Sequence, residues 1–178
     1  QPMISARLGV GLVPRSAYHY EGIVGGRTTR VTQVGASSLF GSDMLAMGRL
    51  EFEISGISRE KDYCYFIENS TGIWKTLVAI GEDGEPDGFL VSSDHAASKV
   101  IGPGVMRTEA AAEALLRAQL DRYRGRSVVF LLPAGEKRLI AAAYAFGARN
   151  CELHLGQVRG SIQPVEGIVM PTFLPESA

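Results

Sequence analysis

Thr108 to Leu132, TEAAAEALLRAQLDRYRGRSVVFLL, decides the fold. Thr108 has the oxygen of an N-cap, and Glu109 in the first turn suits the positive end of a helix. Ala112, Leu116, Leu120 and Tyr123 recur at helical spacing, and Gly125 stops the pattern. Ser127 to Leu132 then runs without a charge and is rich in Val, Phe and Leu. Such a run reads as a central strand buried on both faces. A helix leading into a buried strand predicts a layered α/β domain.

Reading outward toward the C-terminus, Glu136 to Phe146 is a second helix, stopped by Gly147. Cys151 to Val158 alternates apolar and polar residues and is expected as a half-buried strand. Pro164, Pro171 and Pro175 mark an extended tail. Toward the N-terminus, Lys99 to Ile101 is a strand that Gly102-Pro103-Gly104 should break. Trp74 to Ile80 and Phe89 to Ser93 flank a polar turn containing Asp83-Gly84 and predict a hairpin. Two helices precede them. The first starts near Ser42 or Asp43 and carries Leu45, Leu50, Phe52 and Ile54. The second is capped by Ser58, carries Tyr63, Phe66 and Ile67 on one face, and closes at Asn69 and Gly72. Met3 to Val13, Tyr18 to Val24 and Thr28 to Gln33 are candidate strands. Together these elements predict a mixed, mainly antiparallel sheet flanked by helices.

Composition narrows the function. The 178 residues are 46% hydrophobic and 21% charged, as in a globular domain with its own core. Lys plus Arg number 18 and Asp plus Glu 19, for a net charge of -1. A near-neutral chain carries no general attraction for nucleic acid or an anionic membrane. No apolar run approaches the ~20 residues that span a bilayer, and Leu8 to Val13 is too short for a signal peptide's apolar region, so a cytoplasmic setting is expected. Gln1 stands where a Met would begin a protein, and the chain is read as part of a longer product. Cys64 and Cys151 lie far apart, and His19, His95 and His154 are scattered. No CxxC or HExxH spacing occurs, so no metal is expected. Gly9-Val10-Gly11 opens like a dinucleotide loop, but Pro14 stands where the third glycine belongs. Asp94-His95 has the composition of a charge-relay pair without a marked serine. Glu51, Glu53 and Glu68 are candidate bases by residue type alone, and none is assigned that role.

Several local words now combine. They are Leu77-Val78-Ala79, Asp87-Gly88-Phe89-Leu90, Ile101-Gly102-Pro103-Gly104-Val105, the Ala- and Leu-rich helix from Thr108, Val128 to Leu132, and Tyr144-Ala145-Phe146-Gly147-Ala148. In this order they resemble the GNAT superfamily of N-acetyltransferases, and most of all the second, carboxyl-terminal GNAT-like domain of tandem acetyltransferases. The resemblance covers roughly residues 28 to 160. It implies an acyl-CoA N-acyltransferase fold over 28–160. Residues 1–27 would be an N-terminal extension, the tail of a preceding domain, and 161–178 an extended C-terminal tail.

The resemblance also implies acetyl-CoA as donor and a small-molecule or peptide amine as acceptor. GNAT domains hold the donor's pyrophosphate on backbone N–H groups between a splayed strand and the next helix. Here that segment is Gly104, Val105, Met106, Arg107 and Thr108. The family's second glycine is absent, and Glu109 would face the phosphates. The family's acid is often a Tyr near the end of the following helix, and Tyr144 is the candidate. Its register differs by one residue, about 100° around a helix. A non-catalytic GNAT-like module, serving substrate recognition or dimerisation beside a second copy or a preceding GNAT domain, is the alternative. Little turnover is expected from this chain by itself.

Overall fold

The computed structural model describes residues 2–8, 21–24, 27–34, 42–156 and 164–172. In chain order the elements are strands β1 (Pro2–Leu8), β2 (Glu21–Val24) and β3 (Arg27–Val34), helices α1 (Ser42–Ser55) and α2 (Glu60–Glu68), and strands β4 (Trp74–Ile80), β5 (Pro86–Asp94) and β6 (Lys99–Met106). Helix α3 (Glu109–Arg122), strand β7 (Val128–Pro133), helix α4 (Lys137–Ala145) and strands β8 (Ala148–Leu155) and β9 (Ile168–Met170) follow. The expected mixed, mainly antiparallel α/β architecture is present.

All these strands join one sheet in the order β2-β3-β4-β5-β6-β7-β1-β8, with β9 added on β6. Every pairing is antiparallel except β6 with β7. Helices cover both faces, and the pleat sends alternate residues to different cores. Leu77, Ala79, Leu90, Ile101 and Met106 pack with Leu115, Leu116, Leu120 and Leu139 of α3 and α4. Val78, Phe89, Val91 and Val105 pack with Met47, Leu50, Ile54, Tyr63 and Phe66 of α1 and α2. β7 is an interior strand between β6 and β1, and all of its residues except Val129 are buried, as its apolar run predicts.

Four local expectations are corrected. Gly102-Pro103-Gly104 does not break its strand, because β6 runs through it to Met106. The β5–β6 register shifts between Leu90 and Ser92, opposite this segment. At such a bulge a proline costs no ladder hydrogen bond. Gly104 is needed there, since a Cβ on it would lie 2.5 Å from Leu90 Cδ1 and 2.8 Å from the Phe89 carbonyl oxygen. In α1, Leu45 and Phe52 are exposed while Met47 is buried, so the inner face is Met47, Leu50 and Ile54. In β8 only Ala148 is buried, because β8 ends the sheet and meets no helix along most of its length.

Ser58 does not cap α2. Arg59 takes the N-cap position without a side-chain bond, and Asn69 ends the helix in the left-handed region, at φ 46°.

Candidate functional site

The site region begins where β6 and β7 part. Their parallel pairing consists of Val100 with Val129 and Ile101 with Phe130. Beyond Ile101, β6 keeps β5 on one edge, through Gly104 with Leu90, Val105 with Phe89 and Met106 with Gly88. On the other edge, where β7 has departed, β9 pairs antiparallel through Gly104 with Met170, Val105 with Val169 and Met106 with Ile168. Gly104, Val105 and Met106 are thus buried residues of a strand paired on both sides.

Arg107 and Thr108 turn the chain from β6 into α3. The Arg107 backbone N–H donates to the Asp87 carbonyl at 2.8 Å. Thr108 is the N-cap, as its sequence position predicts: its Oγ1 accepts from the Ala111 N–H at 3.2 Å. The Arg107 guanidinium is exposed and pairs with Glu53 of α1 at 2.5 Å. Arg107 and Glu53 also line a polar cavity of about 360 Å³ between α1 and the β4–β5 turn, together with Arg49, Asp83, Glu85 and Asp87.

Carboxylates crowd the start of α3. Glu109 lies 3.8 Å from Arg138 of α4. Burial pushes the Glu136 carboxyl above its ordinary value, and the negative charge of Glu109 adds to the shift. A phosphate placed here meets Arg107 and a helix N-terminus in its favour, and these two acids against it.

The other candidates are dispersed. Tyr144 is 48% exposed on α4, a helix that packs on α3 and β8. Glu68 is exposed, and Glu53 is committed to Arg107. Glu51 is only 1% exposed and is bound by Arg59, which ties α1 to the start of α2. Burial raises its carboxyl above the usual range despite that partner. Asp94 and His95 make no relay. Asp94 accepts from Arg126 at 2.6 Å, and His95 Nδ1 accepts from the Ala97 N–H at 3.2 Å. Gly9, Gly11 and His19 lie outside the described residues. Among the described residues no group of three His, Cys, Asp or Glu is placed to hold a metal ion, and no helix is long and apolar enough to cross a membrane.

Two features of this region were not singled out from sequence. One is β9, whose signal is the apolar triplet Ile168-Val169-Met170 between Gly167 and Pro171. The other is Gln119, fully buried on α3. Its Nε2 donates to the Leu90 carbonyl at 2.7 Å and to the Lys75 carbonyl at 3.1 Å, and its Oε1 accepts from Ser92 Oγ at 2.8 Å. It braces β5 where the β5–β6 register shifts.

The mixed, mainly antiparallel sheet and its flanking helices are consistent with a GNAT fold. No curated protein matches the chain. A family model described as an acetyltransferase (GNAT) domain matches residues 48–154. That span runs from α1 to β8 and covers more than half of the chain, so the chain belongs to the GNAT acetyltransferase domain family.

Proposed function

We propose that this domain transfers an acetyl group from acetyl-CoA to the amine of a small molecule or peptide. The observation that carries the reading is the parting of β6 from β7 after Ile101, with α3 starting just beyond the end of β6. A departing strand gives up its backbone edge, which here is taken at Gly104–Met106 by β9, and a helix start offers N–H groups to an anion. An acyl-CoA thioester supplies an activated acyl group and carries both an extended amide-bearing arm and a pyrophosphate. Gly104, Val105 and Met106 would line the arm, and Arg107 and Thr108 would face the pyrophosphate. Tyr144 is the proposed acid for the leaving thiolate, since a phenol suits that proton transfer.

The second reading is a non-catalytic GNAT-like module that shapes substrate recognition or a dimer surface, beside a second copy or a preceding GNAT domain. The pairing of β9 along the same edge of β6 favours it. In either reading the domain works in the cytoplasm.

Thermal unfolding with and without acetyl-CoA separates the two readings. A donor at 100 times its dissociation constant adds about 2.7 kcal/mol of stability. A rise in Tm with millimolar acetyl-CoA, and CoA release on adding amines, are the results expected of a transferase. No shift and no release at any concentration would leave the module reading.

A further inference from the structure

β9 is short, and its fit to β6 is close. A Cβ on Gly102 would lie 2.6 Å from the Pro171 carbonyl oxygen, and one on Gly167 would lie 2.6 Å from the Met106 carbonyl oxygen. Both glycines therefore permit backbone to approach backbone. Ile168 and Met170 are buried in the core shared with α3 and α4. The Glu166 N–H donates to the Ile54 carbonyl at 3.0 Å and fixes where the segment enters. The segment pairs as a strand on one side only. It forms three pairs with β6, packs on β7 without a ladder, and leaves through Pro171.

We propose that β9 is an internal plug of the acyl-donor cleft, so that segment 164–172 must withdraw before acyl-CoA can bind. The inference rests on the acyl-CoA reading above. The edge of β6 at Gly104–Met106 can pair with one extended chain at a time. A peptide strand and an amide-bearing pantetheine arm compete for the same backbone groups and the same space. The plug lowers the apparent donor affinity by the fraction of molecules in which it is open. A partner that captures the released segment would raise donor affinity by the same factor.

The test fixes the plug reversibly. Val105 and Val169 face each other across the β6–β9 ladder. They are replaced as Val105→Cys and Val169→Cys in a background of Cys64→Ser and Cys151→Ser, which removes the two free cysteines. Acetyl-CoA binding is measured by calorimetry on oxidised and reduced protein. The oxidised form should bind at least about tenfold more weakly than the reduced form, and Ile168→Ser, which loosens the plug, should bind about tenfold more tightly than its parent. Equal affinity of the oxidised and reduced forms overturns the plug. Binding by none of the forms, the unaltered chain included, is the failure of the acyl-CoA reading. Hydrogen exchange of the unliganded chain then judges the plug by itself. Opening of 164–172 well ahead of β5 supports it, and exchange of both only by global unfolding overturns it.

Discussion

Replacing Gln119 by Leu tests what holds the sheet in shape beside the proposed cleft. The side chains are similar in volume, so the change removes polar contacts without opening a large cavity. Three hydrogen bonds disappear, to the Leu90 and Lys75 carbonyls and from Ser92 Oγ. Leu90 lies beside the register shift between β5 and β6, so the pleat does not readily offer its carbonyl another donor. A buried group left without a partner costs about 1–3 kcal/mol. Ser92 keeps the Tyr123 phenol as a neighbour, and the Lys75 carbonyl is only partly buried. The expected loss is therefore about 3 kcal/mol, dominated by Leu90. Equilibrium urea unfolding reads it as a midpoint lower by about 1.5 M, taking a slope of about 2 kcal/mol/M. Gln119→Glu should be no better, because it removes the donors and buries a charge. A loss below about 1 kcal/mol for Gln119→Leu would refute the idea that Gln119 braces this bulge.

Two further outcomes are expected. Tyr144→Phe removes one exposed hydroxyl and should leave stability within about 0.5 kcal/mol, while CoA release falls about 100-fold if the phenol is the acid; a rate within twofold of the parent removes it from that role. Asp94 is held below the usual carboxylate range, first by its hydrogen bond from Arg126. A depressed folded value gives stability that is present above pH 4 and lost as pH falls through the folded value. Asp94→Asn should therefore cost under about 1 kcal/mol at pH 7, since the pair is partly exposed, and the difference should shrink as pH is lowered below 4.

Elements set by local chemistry were legible from residues. Thr108 announces α3 through a cap that needs only the next three residues. The apolar runs Trp74–Ile80 and Val128–Leu132 announce buried strands whatever their neighbours. What escaped depends on distant parts of the chain. β6 continues past Pro103 because Leu90 and Phe89 crowd Gly104 into line, which no local rule contains. β9 is three residues between a glycine and a proline, and only β6 gives it a partner. The alternation in Cys151–Val158 promised a buried face, yet Leu153 and Leu155 are 61% and 69% exposed because β8 meets no helix along most of its length. At the candidate site, the sequence located the start of α3 correctly. The occupancy of its neighbouring edge was a matter of tertiary pairing.

The place of β1 bears on how the domain is made. Met3 pairs with Pro133 on one side and with His154 on the other. Residues 2–8 thus leave the ribosome on the order of ten seconds before either partner strand exists. Contacts of such sequence separation form late, after loop-closure entropy has been overcome. Until β1 docks, β7 and β8 each present an open edge, and an open edge is a template for another chain. The most aggregation-prone moment of this protein's life should therefore be the interval between completing β8 and seating β1. A chaperone, or a covalent neighbour at that end of the chain, would act there.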